Sequence, residues 1–303
     1  MSTALKVIIL GGTGLLGKAL AKKMASHGVV IDLAGRNEAI NGFGFVQLDA
    51  LTCNDYQFFK NYDIVIDCLG QVTNPIADCA FINTTATYRM AKAAATAKVY
   101  YVKISSLAVY GTAEMVDEAT PCNPDSAYGA LKLASENIVA ELVSQKNLLN
   151  IRLSNLYGDA ANKGVIAYLK REWLGNKSIF FDNDGSLLRY FIHVDDAVDI
   201  IDNLIFSPLS KKGVPAGSDG DKILNGKERH TGTVNLPGPD KQTVKELIAT
   251  AEEALGITYG ISLKKSDFVW GNVQNISTEK LAGYTTLIYQ HSISSYFKKL
   301  AAQ

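Results

Sequence analysis

Tyr128 and Lys132 stand four residues apart in Ser-Ala-Tyr-Gly-Ala-Leu-Lys, a spacing that puts both side chains on one face of a helix. A phenol with a pKa of about 10 is a weak acid–base catalyst at neutral pH. A neighbouring ammonium favours the phenolate and brings it into use. The same ammonium could hold a ribose hydroxyl. Ser105 and Ser106 follow the apolar run Tyr100–Ile104, at the carboxyl edge of a strand, where open α/β sheets bind ligands. A hydroxyl there can hold an oxygen that changes between alcohol and carbonyl. The chemistry within reach of this set is proton transfer coupled to oxidation or reduction at a carbon–oxygen bond.

A redox partner is implied by Gly11-Gly12-Thr13-Gly14-Leu15-Leu16-Gly17. The stretch fits GxGxxG from Gly12 and GxxGxxG from Gly11, between a strand and a helix, as dinucleotide binding requires. The pyrophosphate would lie at the helix N-terminus, where free N–H groups and the helix dipole favour an anion. Gly11, Thr13, Gly14, Leu15, Leu16 and Gly17 are therefore candidate cofactor contacts. Asp49 and Ala50, then Leu69 and Gly70, follow later strands and join them. After the second strand, NAD sites carry an acid; here the position falls on Gly35, and Arg36 follows. A guanidinium there would pair with a 2′-phosphate, which predicts NADP over NAD. Asp32 lies three residues too early and belongs to the strand.

These residues need a scaffold that brings them to one edge. Short apolar runs at Lys6–Leu10, Val29–Leu33, Phe45–Leu48, Ile64–Asp67, Tyr100–Ile104 and Asn150–Leu153 read as strands. Helical stretches fall at Leu15–Ser26, Asp78–Ala97 and Ser126–Ser144. The alternation predicts βαβ units and, with right-handed crossovers, an α/β doubly wound parallel sheet, the Rossmann fold. A smaller C-terminal α/β substrate-binding region would follow. The expected dinucleotide-binding domain is 1–156, with segments of about 188–240 returning to it, and 157–187 with 241–303 form the substrate region. In that half, Lys163–Leu174 and Val194–Phe206 read as helices, and Thr243–Leu255 as a helix capped by Thr243 and stopped by Gly256. Lys211–His230 lacks apolar periodicity and reads as a mobile loop.

Thirty basic against thirty acidic residues leave no formal net charge, which argues against a nucleic-acid binder. No apolar run is long enough for a membrane span, and the first residues lack a signal-peptide cleavage site. Cys53, Cys68, Cys79 and Cys122 show no paired metal spacing and read as reduced thiols of a cytoplasmic protein, with no metal expected.

The sequence resembles the extended short-chain dehydrogenase/reductases, the NAD-dependent epimerase/dehydratase group acting on nucleotide sugars. The resemblance rests on the glycine stretch 11–17, Asn83, Ser105-Ser106-Leu107-Ala108-Val109-Tyr110-Gly111, Tyr128-Gly129-Ala130-Leu131-Lys132, Arg152-Leu153-Ser154-Asn155-Leu156-Tyr157-Gly158 and Arg189-Tyr190-Phe191-Ile192-His193-Val194-Asp195-Asp196. Val234-Asn235-Leu236 and the helix from Thr243 continue it. The resemblance implies Ser106, Tyr128 and Lys132 as catalytic residues, Asn83 near the cofactor, and Asn155 and Arg189 on the substrate, Arg189 against its diphosphate. It also implies a homodimer through the helices 78–97 and 126–144. His193 is expected to be packed structure rather than catalytic. The 4,6-dehydratases of the group carry Asp-Glu after the catalytic serine, where this chain has Leu107-Ala108, which disfavours dehydration. The expected function is an NAD(P)-dependent nucleotide-sugar epimerase or 4-keto reductase. The alternative is a non-catalytic dinucleotide-binding sensor or assembly protein on the same fold.

Overall fold

Lys6–Leu10 (β1) reads Lys-Val-Ile-Ile-Leu, and its four apolar side chains are buried. A strand with apolar residues at successive positions suits a sheet covered on both faces. The computed structural model describes residues 4–36, 40–70, 74–206, 229–264 and 273–303. After β1 come α1 (Leu15–Met24), β2 (Val30–Gly35), β3 (Gly44–Gln47) and β4 (Ile64–Asp67). A long helix follows in two parts, α2 (Ile76–Phe81) and α3 (Thr87–Ala97), joined by a π-helical turn at Ile82–Ala86. Then come β5 (Tyr100–Ser106), β6 (Ala113–Val116), α4 (Ala127–Leu142), β7 (Leu148–Leu153), β8 (Asn155–Tyr157), α5 (Val165–Leu174) and β9 (Ser178–Phe181). The chain continues through β10 (Leu188–His193), α6 (Val194–Phe206), β11 (Gly232–Leu236), β12 (Asp240–Thr243), α7 (Val244–Leu255), β13 (Gly260–Leu263), β14 (Val273–Ile276), α8 (Glu279–Tyr284) and α9 (Ile293–Ala301).

The central sheet is parallel throughout, in the order β11-β7-β5-β4-β1-β2-β3. The order reverses between β1 and β4, which opens a crevice at their carboxyl ends. This is the doubly wound Rossmann architecture expected. Strand alternation divides the sheet between two cores. Ile9, Ile66, Val102, Ile151 and Val234 face α1 and α6, whereas Ile8, Val65, Tyr101 and Leu148 face α3 and α4. A third core lies in the C-terminal half, where Leu169 of α5, Phe191 of β10, Leu247 of α7 and Phe297 of α9 pack together.

Several boundaries moved. Helix α1 ends at Met24 and passes into a 3-10 turn at Ala25–His27. β7 starts two residues early, at Leu148, and α5 starts at Val165 rather than Lys163. The strands β6, β8, β9, β12, β13 and β14 have only three or four residues and escaped the periodicity reading, as did the longer β10 and β11. Helix α7 carries the expected Thr243 cap as a full capping box with Glu246. Gly256 closes it at φ +63°, where a side chain would be strained. Residues 211–228 of the expected loop lie outside the described residues. Its last two carry no helix or strand, as expected of a loop, but His230 is packed: it is buried, stacks on Tyr284 and accepts the Tyr100 hydroxyl at its carbonyl.

Candidate functional site

The glycine turn joins β1 to α1 at the crevice. A Cβ on Gly17 would lie 2.6 Å from the Gly11 carbonyl and 2.7 Å from the Gly12 Cα, so only glycine lets helix and turn approach this closely. No side chain caps the N-terminus of α1, and its first turn holds no acid. Its free N–H groups therefore suit the pyrophosphate of a dinucleotide, and this is the feature by which the chain fits that cofactor.

Next along the crevice, the buried Asp67 ends β4. Its carboxylate accepts the Leu69 N–H at 2.9 Å and so shapes the turn Cys68-Leu69-Gly70. β5 ends in Ser105 and Ser106, and the Ser106 hydroxyl oxygen accepts the Ala108 N–H at 3.2 Å. Ser126 caps α4 by accepting the Gly129 N–H at 3.1 Å. That cap starts the helix at the point where Tyr128 and Lys132 turn towards β5. A cavity of about 600 Å³ is lined by Gly11, Gly14, Leu15, Leu16, Gly17 and Leu69 on one side and by Ser106, Tyr128, Lys132, Asn155 and Arg189 on the other.

Burial pushes the Tyr128 phenol up to about 12, against the influence of the neighbouring Ser106 hydroxyl, which favours the phenolate. The expectation that Lys132 would bring the phenol down is not met. Lys132 is itself buried, and desolvation, followed by the Lys103 ammonium, pushes it down to about 7. Its Nζ donates to the Ile104 carbonyl at 2.8 Å.

On the substrate side, Asn155 Nδ2 donates to the Tyr190 carbonyl at 3.0 Å. Arg189 Nη1 donates to the Leu188 carbonyl at 2.8 Å and feels the charge of Asp125. Leu107 and Ala108 both line the cavity.

Six expected contacts do not line it: Thr13, Arg36, Asp49, Ala50, Gly70 and Asn83. Arg36 is exposed at the end of β2. Asp49 accepts the Leu51 N–H at 3.0 Å. Asn83 is fully buried beneath the Gly70 turn, where its amide donates to the carbonyls of Gly70 and Cys79, so its place is in the wall behind the crevice. Asp32 accepts the Tyr62 hydroxyl at 2.8 Å, a structural role.

The sequence reading missed the charges beneath α4. Arg152 of β7 meets Glu136 of α4 with Nη2–Oε2 at 2.8 Å, and the Ser105 hydroxyl donates to Glu136. Arg152 Nη1 also donates to the Tyr110 hydroxyl at 2.7 Å. Lys103 of β5 meets Asp67 at 2.8 Å, with both side chains 1% exposed. A charged residue inside a strand otherwise apolar was the available signal. His193 packs as expected, edge-on to Tyr157 and stacked on His291 at 4.0 Å. Together with Asp195 these histidines could be taken for a metal site. The rings are within 18° of parallel, however, so their in-plane lone pairs do not converge, and Asp196 holds His291 Nδ1 at 2.8 Å.

Residues 7–213 match the family described as NAD dependent epimerase/dehydratase. The chain is 29% identical over 227 residues to a UDP-glucose 4-epimerase of Mycolicibacterium smegmatis, covering 64% of this chain and 71% of the relative. The UDP-glucuronic acid 4-epimerase of Bacillus cereus, solved with UDP-glucuronic acid and NAD, superposes at TM-score 0.78 and 18% identity over 97% of both chains. A dTDP-glucose 4,6-dehydratase of Bacillus anthracis in complex with NAD superposes at TM-score 0.75 and 16% identity, over 99% of this chain and 96% of its own. The fold is thus shared by epimerases and a dehydratase alike. With a doubly wound sheet, a glycine turn at its switch point and a family match over more than half of its length, the chain belongs to the NAD-dependent epimerase/dehydratase family.

Proposed function

We propose that this protein is a nucleotide-sugar 4-epimerase that works with a nicotinamide dinucleotide through Ser106, Tyr128 and Lys132. The observation that carries the reading is that Ser106, Tyr128 and Lys132 line one cavity together with Gly11, Gly14 and Gly17 of the glycine turn. Bound nicotinamide would take up and return a hydride at the sugar carbon. The residues of the chain do the rest. Ser106 holds the sugar oxygen; Tyr128 as phenolate takes the proton of that oxygen when the carbon gives up its hydride, and as phenol returns it when the hydride comes back. Lys132 would hold a ribose hydroxyl and bear on the charge of Tyr128. Asn155 would touch the substrate and Arg189 would take its diphosphate, at the borders of the proposed substrate region, 157–187 and 241–303.

Three features support epimerisation over its rivals. The UDP-glucose 4-epimerase relative covers most of the fold. The positions that carry acid and base in the dehydratases are Leu107 and Ala108, and of the carboxylates only Asp125 lines the cavity among the described residues. The retained Tyr128 and Lys132 speak against a purely sensing or assembly role. A 4-keto reductase would use the same residues.

For the cofactor, the Arg36 argument for NADP stands against the NAD bound in the neighbours, and the cofactor we propose is NAD(P). Arg36→Ala should weaken NADP while sparing NAD if the guanidinium reads a 2′-phosphate; equal affinities before and after would remove Arg36 from the site. We also propose a cytoplasmic homodimer through α2, α3 and α4, where Ile76, Phe81 and Tyr88 are exposed. A single monomeric species in sedimentation would remove the dimer.

The deciding experiment incubates the purified protein with NAD and a panel of UDP- and dTDP-sugars and follows products by NMR. Interconversion of the configuration at C4 supports the reading. Loss of water to a 4-keto-6-deoxy sugar, or consumption of NADPH on a 4-keto sugar, would replace it with the dehydratase or the reductase.

A further inference from the structure

The Asp67–Lys103 ion pair, buried behind the crevice, is one of two charge pairs under α4 among the described residues that the reaction above does not use, Glu136–Arg152 being the other. It sits on the face of the sheet that α4 covers, at the carboxyl ends of β4 and β5, with Nζ 2.8 Å from Oδ2. The Tyr101 hydroxyl donates to the same oxygen at 2.7 Å, and the Leu69 N–H to the other at 2.9 Å. The pair is fully withdrawn from water, where removing ions from solvent costs several kcal/mol each. An apolar pair would serve a sheet interior equally well, so its retention asks for a use.

Lys132 supplies one. Its Nζ donates to the carbonyl of Ile104, the residue after Lys103. The titratable groups that act on Lys132 come from every element around it: Asp67 and Cys68 at the end of β4, Lys103 on β5, Glu136 on its own helix, and Cys79 of α2. After burial, Lys103 is the largest influence that lowers the basicity of Lys132, and Asp67 the first that raises it. The two ends of one ion pair thus act on Lys132 in opposite senses.

We propose that the buried Asp67–Lys103 pair is a positioning device for the site: its two charges, acting from the sheet, set the protonation state of Lys132 and with it the pH range in which the cleft works. The inference rests on the reading of Lys132 as a site residue. Asp67 has a second hold on the same place, because it ties down the Leu69 turn on the cofactor side of the cavity.

The test is a titration of protein labelled with [ε-13C]lysine, followed by NMR, with Lys132→Met assigning the resonance. In the unaltered protein, Lys132 should titrate with a midpoint at about 7. Lys103→Met should move the midpoint up by about one unit or more, Asp67→Asn should move it down, and Lys103→Arg should leave it in place. A merely structural pair predicts no such opposition. Shifts in one direction, unmoved midpoints, or an ordinary lysine midpoint near 10.5 in the unaltered protein would overturn the proposal. If the Met and Asn variants fail to fold, the unaltered protein and Lys103→Arg still decide it, because either one titrating near 10.5 overturns it. Turnover against pH on the same variants must follow the NMR midpoint, and a profile that stays fixed also overturns it. Opposite NMR shifts in a protein inactive on every nucleotide sugar would strike the proposed function and leave the electrostatic inference standing.

Discussion

The two faces of the central sheet are built from the same strands and do different work. On the face under α1 and α6, the buried side chains of β4, β5 and β7 are Ile64, Ile66, Val102, Ile104, Leu149 and Ile151. One residue along each strand, on the face under α4, stand Asp67, Lys103, Ser105, Asn150 and Arg152, all buried. Both faces are dry. The first is held by apolar burial, worth roughly 25 cal/mol per Å². The second has an apolar core of its own around Val65, Tyr101 and Leu148, and beside it two hydrogen-bonded charge pairs, Asp67–Lys103 and Glu136–Arg152, that would be costly if any member were left alone. The polar face is also the one that carries Tyr128 and Lys132. The proposed site would set a lysine and a phenol over these fixed charges, which the parallel sheet supplies without loosening its other face.

That contrast can be broken at either side. The largest expected effect is from Arg152→Ala, which leaves Glu136 buried without its partner: a loss of about 3–5 kcal/mol, read by urea unfolding. A loss under 1 kcal/mol would show that the charged layer is held up by water rather than by its own pairing. Next comes Tyr128→Phe, which keeps the ring but removes the phenolic proton. Turnover on the confirmed sugar should drop at least about 100-fold, or about 2.7 kcal/mol, with dinucleotide affinity retained. Near-normal turnover would take Tyr128 out of the chemistry.

The third effect concerns pH. The proton of Lys132 is held less tightly in the folded than in the unfolded chain. Above about pH 7 the unfolded state therefore carries more protons, and stability should rise with pH, by on the order of 2 kcal/mol between pH 6.5 and 8.5. Lys132→Met should flatten that rise in denaturant melts at the two pH values. Asp67 acts at the acid end: its carboxyl is held below the usual range by Lys103 and Tyr101 against the opposing pull of burial, so its contribution persists above pH 4 and is lost as pH falls through its folded-state value. The smallest effect is on the apolar face. Ile201→Val on α6, at a side chain with no exposure, should cost about 1 kcal/mol at every pH. A cost that varied with pH would mean that the two faces are coupled.

Legibility followed the range of the interactions. The glycine turn, the capped helices α4 and α7 and the strands β1, β4 and β5 are decided by neighbours in sequence, and all were readable. The strands β8 and β10 pair with each other across more than thirty residues, and no local period announces them. Asn83 was placed near the cofactor, yet its amide turns inward to the Gly70 and Cys79 carbonyls. The basicity assigned to Tyr128 from its spacing to Lys132 also failed, because spacing shows that two groups share a face and says nothing of the burial both undergo.

What the sequence determined by itself was the kind of scaffold and the candidates for its chemistry: a tyrosine and lysine at helical spacing, a serine after a strand, a glycine turn before a helix, and strands alternating with helices. These are short-range properties, carried by backbone geometry and side-chain period. Only the tertiary structure decided which charges meet. Asp67 and Lys103 are 36 residues apart, and Glu136 and Arg152 are 16 apart on different elements. The first pair forms because the parallel register of β4 and β5 sets Asp67 beside Lys103, and the second because α4 packs over the sheet and brings Glu136 to Arg152 of β7. A charge in a strand reads the same in sequence whether it meets water or a partner, and burial, which sets its energy, exists only once the sheet has been closed by its helices.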